Sequence, residues 1–133
     1  MSCFNAFLML ALVSGPSMAF AQGLVPTMDH QFEFCHERPL EPEWMGRLPS
    51  RESYKRLVIQ TIYRAQGLER VVEAGGCSCA TRFPSWDAAV QHFNDRYLGA
   101  DRNVMRDAED RYLTRFNELR SAARQICEAA GNW

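Results

Sequence analysis

The 133-residue chain lacks the features that mark several common classes of protein. Its 15 basic residues are balanced by 16 acidic ones, so no cationic excess points to nucleic acid and no acidic block forms a solvating tail. It has three histidines, and none of the motifs HExxH, GxSxG, GxxxxGK[ST] or CxxCH occurs. We therefore expect a protein that is not an enzyme, binds no cofactor and does not bind nucleic acid.

A hydrophobic run long enough to cross a membrane is also missing. A spanning helix needs roughly 20 apolar residues, whereas the apolar run at residues 7–13 is soon interrupted by Gly15-Pro16. Residues 1–21 carry no charge, and Ala19-Phe20-Ala21 is typical of a signal-peptide cleavage site. No Lys or Arg precedes the run, so an uncleaved N-terminal anchor is the alternative. We predict a signal peptide over residues 1–21 and no membrane span after its removal.

Lysine is scarce as well, since Lys55 stands alone against fourteen arginines. This bias is typical of a GC-rich genome, and together with the predicted signal it indicates a bacterial protein. We expect it to be periplasmic or secreted. Such compartments oxidise thiols, so cysteines there pair as disulfides.

The mature chain of about 112 residues is the size of one domain. Residues 22–50 contain four prolines among aromatic side chains, which predicts an irregular segment lying on the core. Residues 51–133 are predicted to form the helical domain. Apolar side chains recur there at helical spacing over 51–74, 85–98 and 101–130. The predicted fold is all-α, a small three-helix domain stapled by disulfides.

Gly67 lies inside the first predicted helix. Glycine there costs about 1 kcal/mol relative to alanine, which indicates close packing or a bend at this position.

The motif Cys77-Ser78-Cys79 follows the first predicted helix and poses a problem of distance. If residues 85–130 formed one continuous helix, Cys127 would lie roughly 60 Å from this loop at 1.5 Å per residue. If the chain instead reverses near Gly99, Cys127 returns to the level of the loop. The irregular chain before the first helix is long enough to bring Cys35 there too.

Four clustered cysteines can form two disulfides or hold a metal ion. Structural zinc sites usually separate paired ligands by two to four residues, but one residue separates Cys77 from Cys79. His30 and His36 add no recognised ligand spacing. We predict two disulfides and no metal, with one loop cysteine bonded to Cys35 and the other to Cys127. The alternative is a thiol-redox or metal-binding protein that uses the Cys77-Ser78-Cys79 loop itself.

Aromatic residues offer candidate binding surfaces, although most are expected to fill the core. Trp, Tyr and Arg are frequent anchors of protein interfaces. We select Arg82, Phe83 and Trp86 at the start of the second predicted helix, with Trp44 as a second choice. The expected partner is another protein, most simply one of the cell envelope. The expected role is an accessory component of a secretion or conjugation apparatus, or a periplasmic inhibitor or immunity-type binder.

Overall fold

The computed structural model of the chain describes residues 35–133, which form an all-α domain without strands. Its five α-helices are, in chain order, α1 (Glu43–Gly46), α2 (Ser53–Ala74), α3 (Cys79–Arg82), α4 (Asp87–Tyr97) and α5 (Arg102–Ala129). The predicted signal peptide (residues 1–21) and the first part of the predicted irregular segment (residues 22–34) lie outside the described residues.

The three predicted helices are confirmed as α2, α4 and α5, and no end is displaced by more than two residues. The short helices α1 and α3 were not predicted. Four residues make barely one turn, which is too short to show a helical period in the sequence. α1 lies within the segment that was expected to be irregular.

The two ends of α2 are formed differently. A 3-10 turn (Ser50–Glu52) precedes α2, and no side chain caps the first turn of the helix. At the other end Gly75 adopts a left-handed conformation with φ of 59°. Glycine adopts that conformation without steric penalty, so Gly75 ends the helix.

The chain reverses between α4 and α5, near Gly99 as predicted. Trp86, just before α4, stacks on Tyr63 in the middle of α2, whereas Arg102, at the start of α5, lies over Tyr54 near the beginning of α2. Asp101 begins α5, where its side chain accepts hydrogen bonds from the backbone N–H groups of Asn103 and Val104. This cap satisfies two donors that have no partner within the helix.

α2 and α5 run parallel and in register. Arg102 stacks on Tyr54 near the start of both helices, and the Cys77–Cys127 disulfide joins their far ends. Between these points Arg115 forms an ion pair of 2.8 Å with Glu69. The chain reversal therefore has the predicted consequence, since it returns Cys127 to the level of the Cys77-Ser78-Cys79 loop.

The buried side chains form two clusters along the bundle. The larger cluster, the lower core, joins α1, α2, α4 and the first half of α5 and includes Met45, Ile59, Ile62, Phe93 and Met105. The smaller cluster, the upper core, surrounds the Cys77–Cys127 disulfide and includes Leu68, Val71, Leu119 and Ala123. Residues of α2 belong to both clusters, so α2 lies at the centre of the fold.

Residues 39–45 lie against the bundle. The side chain of Glu41 accepts hydrogen bonds from Arg56 at 2.5 Å and Gln60 at 2.6 Å, both on α2. The indole N–H of Trp86 donates to the carbonyl of Pro39 at 3.2 Å. Met45 is 1% exposed within the lower core. Polar contacts and burial therefore both hold this segment.

Gly67 is the point at which α3 approaches α2. A Cβ atom at this position would lie 2.6 Å from the backbone carbonyl oxygen of Arg82. Only glycine leaves room for the backbone of α3 at that distance. The close packing predicted at Gly67 is therefore present.

Candidate functional site around the Cys-Ser-Cys loop

The two cysteines of the loop form separate disulfides with distant partners. Cys35 is bonded to Cys79, with Cα atoms 5.3 Å apart, and Cys77 is bonded to Cys127, with Cα atoms 4.9 Å apart. Both separations lie in the usual range for a disulfide. The predicted pairing of each loop cysteine with a distant cysteine is confirmed, and the structure settles which cysteine takes which partner.

Local chain geometry brings the four sulfur atoms together. The left-handed Gly75 ends α2 and turns the chain towards Cys77. The Ser78 side chain then accepts a hydrogen bond from the backbone N–H of Thr81 and caps α3, which begins at Cys79. Cys77 lies in the upper core, while Cys79, two positions further along the chain, pairs with Cys35 of the N-terminal segment.

The two disulfides differ in burial but close loops of similar length. Cys77 and Cys127 are 3% and 0% exposed, whereas Cys79 is only partly buried. Sequence separations of 44 and 50 residues give each bridge about 4 kcal/mol in the chain-entropy description. That is a large share of the 5–15 kcal/mol by which domains are typically stable.

Residues at the C-terminus contact the Cys77-Ser78-Cys79 loop and α3. The Asn132 side chain donates a hydrogen bond to the backbone carbonyl of Cys77 at 2.5 Å. The backbone carbonyl of Asn132 accepts a hydrogen bond from the Arg82 side chain. The guanidinium of Arg82 also lies over the ring of Trp133, 4.7 Å from its centroid. This fold-back of Trp133 holds α3 in place.

Arg82 and Phe83, two of the predicted binding residues, lie together beside the loop. The guanidinium groups of Arg82 and Arg38 lie 5.0 Å and 5.4 Å from the centroid of the Phe83 ring. Burial and the nearby charge of Arg38 lower the pKa of Arg82. The half-buried phenyl ring therefore has two cations close to it.

The other two predicted residues have different surroundings. Trp86 stacks on Tyr63, with ring centroids 3.8 Å apart, and its indole N–H donates a hydrogen bond to the carbonyl of Pro39. Tyr63 in turn donates a hydrogen bond to the carbonyl of Pro84 at 3.0 Å, and burial raises the pKa of its hydroxyl. Trp44, on α1, is 44% exposed. Trp86 is thus part of the packing, while Trp44 presents its ring to solvent.

A cleft of about 500 Å³ lies next to this group. Its lining includes the guanidinium-bearing residues Arg38 and Arg70, the carboxylate residue Glu37, the ring of Phe83 and the disulfide-bonded Cys79. A surface that combines an aromatic ring, two arginines and a concave floor can recognise a peptide or an acidic side chain.

A second polar group, between α4 and α5, was not predicted. The imidazole of His92 forms a hydrogen bond with the Tyr112 hydroxyl, and Arg111 donates to the Tyr97 hydroxyl at 3.3 Å. Burial raises the pKa of Tyr112 to about 12, and burial lowers that of His92. His92 and Tyr112 lie 20 residues apart in the chain, and no local pattern in the sequence links them.

No three His, Cys, Asp or Glu side chains within residues 35–133 come together as a group that could hold a metal ion. In the same part of the chain, no helix is long and apolar enough to cross a membrane.

The fold and the site define a small all-α domain cross-linked by two disulfides at one end of a parallel helix pair. The chain matches no protein-family model, and neither the curated proteins nor the solved structures contain a match to it.

Proposed function

We propose that this protein is an exported, non-enzymatic binding or structural protein of the bacterial cell envelope. It recognises another protein through the surface formed by Arg38, Arg82 and Phe83, which we call the Phe83 surface. An accessory component of a secretion or conjugation apparatus is one role that such a surface fits. A periplasmic inhibitor or immunity-type binder is the other.

The observation that carries this proposal is the way in which the Phe83 surface is held. A disulfide begins α3 at Cys79, and the Arg82 side chain is fixed by Asn132 and Trp133 at its end. Side chains that are ordered before binding lose less conformational entropy when a partner docks. An aromatic ring flanked by arginines has the composition of an interface anchor.

The same bridges support the compartment named in this proposal. Two disulfides in a domain of this size are consistent with an oxidising environment outside the cytoplasm. The predicted signal peptide over residues 1–21 provides the route of export.

A photo-crosslinking experiment in the producing bacterium tests the proposal. The full chain would carry a benzophenone amino acid in place of Phe83, and in a matched variant in place of Asp107. Asp107 is exposed and lies about 30 Å along α5 from Cys127. A third variant would carry the probe at Trp44.

We expect a discrete adduct with one exported protein from position 83 and none from position 107. An adduct from position 44 alone would move the binding surface to α1. The proposal is wrong if position 83 gives no adduct, or if positions 83 and 107 give the same adducts in the same yield.

A further inference from the structure

The two disulfides are exposed to solvent to different degrees. Cys79 lines the 500 Å³ cleft, whereas Cys77 and Cys127 are closed within the upper core and covered by Asn132. The loops that they close are of similar length, so loop entropy does not distinguish them. A thiolate must reach a sulfur atom in order to attack a disulfide. Solvent access to sulfur therefore distinguishes the reactivity of the two bridges.

The backbone at Cys35 adds a second difference. Its φ is 66°, and it is the one residue other than glycine with a positive φ between positions 35 and 133. L-amino acids with a side chain find this conformation unfavourable. Breaking the bond to Cys79 frees Cys35 to leave it, whereas breaking the Cys77–Cys127 bond relieves no such conformation.

From Pro39 onwards the N-terminal segment makes contacts of its own with the bundle. Trp86 holds the carbonyl of Pro39, Arg56 and Gln60 hold Glu41, and Met45 is buried. These contacts do not involve the Cys35–Cys79 bridge. The segment from residue 39 onwards therefore has its own anchors on α2 and α4, which remain when that bridge is opened.

From these observations we propose that Cys35–Cys79 is a redox-sensitive tether. A dithiol reductant reaching Cys79 through the cleft opens it, while Cys77–Cys127 remains closed. Opening frees Cys35 from α3 and leaves the helical bundle folded.

The reaction is an ordinary thiol–disulfide exchange. One thiolate of the dithiol attacks the sulfur of Cys79, the bond to Cys35 breaks, and Cys35 leaves as a thiolate that takes up a proton. The second thiolate of the reductant then attacks the mixed disulfide and releases Cys79, which is protonated in turn. Two electrons and two protons pass to the protein, and the reductant leaves as a disulfide. The cationic Arg38 and Arg70 in the cleft favour the thiolate forms.

Timed reduction of the purified, oxidised protein tests the tether. Dithiothreitol would be added without denaturant, free thiols alkylated at intervals, and each cysteine quantified by peptide mapping. We expect Cys35 and Cys79 to become alkylated together, about an order of magnitude or more ahead of Cys77 and Cys127, since attack depends on access. The proposal is overturned if both bridges open at one rate or if Cys77–Cys127 opens first.

Two further measurements distinguish a tether from general unfolding. At the stage where only Cys35–Cys79 is open, far-UV circular dichroism should be unchanged, and hydrogen exchange should rise over residues 35–38 but not over α2 or α5. A double variant, Cys35→Ser/Cys79→Ser, should show the same pattern without reductant. Loss of helical signal in either case would refute the proposal.

The route through the cleft has its own control. Arg70→Gln should slow opening by the anionic thiol glutathione several-fold, and should affect the uncharged dithiothreitol less. Arg64→Gln, an exposed arginine on the same helix outside the cleft lining, should change neither rate. Equal effects of the two substitutions would exclude the cleft as the route. These thiol measurements need no binding partner, so they can fail or succeed independently of the crosslinking experiment.

Discussion

Replacing Gly67 with alanine tests how α3 is seated on α2. Alanine is the better helix former, and propensity alone predicts a gain of about 1 kcal/mol in the free energy of unfolding. The structure predicts the opposite sign. The new Cβ would lie 2.6 Å from the carbonyl oxygen of Arg82, a distance that Cβ atoms do not tolerate.

The carbonyl oxygen of Arg82 cannot shift without a large energetic cost, because it belongs to the backbone rather than to a flexible side chain. α3 is tied by the Cys35–Cys79 disulfide at its start and by the hydrogen bond from Arg82 to Asn132 at its end. Overpacking costs about 1–3 kcal/mol, and a clash with tied backbone places the cost in the upper part of that range, at about 2–3 kcal/mol. After the gain in propensity, the net loss should be about 1–2 kcal/mol.

Thermal unfolding followed by circular dichroism, with both disulfides oxidised, measures the effect. For a domain near 100 residues, 1 kcal/mol shifts Tm by about 4–8 °C, so Gly67→Ala should lower Tm by about 5–15 °C. Gly99→Ala is the matched control. Its Cβ would meet no atom within 4 Å and its φ is not positive, so its effect should stay within about 0.5 kcal/mol. An unchanged or higher Tm for Gly67→Ala would refute the argument.

Four further predictions follow from single contacts. The double substitution Cys77→Ser/Cys127→Ser should lower the free energy of unfolding in urea by about 4 kcal/mol; a loss under about 1 kcal/mol would contradict the chain-entropy reasoning. Tyr63→Phe leaves the buried carbonyl of Pro84 without its donor, and should cost about 1–2 kcal/mol in the same assay. Burial lowers the pKa of His92, so the folded state binds fewer protons there than the unfolded state, and stability falls as pH drops below the ordinary value of about 6.5. His92→Gln should therefore lose less stability than the wild type between about pH 7 and 5, and parallel curves would refute the assignment. In a bacterium, the exported chain should begin at Gln22, which N-terminal sequencing of the periplasmic fraction would verify or contradict.

Much of the fold was predictable because its signals are local. The apolar spacing within each long helix, the glycine after α2 and the reversal near Gly99 all act over a few residues, so they are legible in the sequence. The cysteine cluster followed from helix lengths alone, because the rise per residue fixes where a returning helix brings Cys127. Close packing at Gly67 could be predicted because glycine weakens the helix that contains it.

The candidate site was less predictable, since it depends on contacts between residues far apart in the chain. Nothing near Trp86 in the sequence indicates that Tyr63 stacks on it and makes it a packing residue. Likewise nothing in the sequence indicates that Arg38 lies over Phe83, because the two residues are far apart in the chain. The sequence could select aromatic and arginine residues, but not sort exposed anchors from buried ones.

The choice of disulfide partners shows the same division. By itself the sequence determined that Cys77 and Cys79 reach distant cysteines, because helix length and the position of the chain reversal can both be read along the sequence. Only the tertiary structure decided that Cys77 takes Cys127 and Cys79 takes Cys35. The reason is the turn after Gly75, which sends the first cysteine into the upper core and leaves the second at the surface, where the N-terminal segment passes.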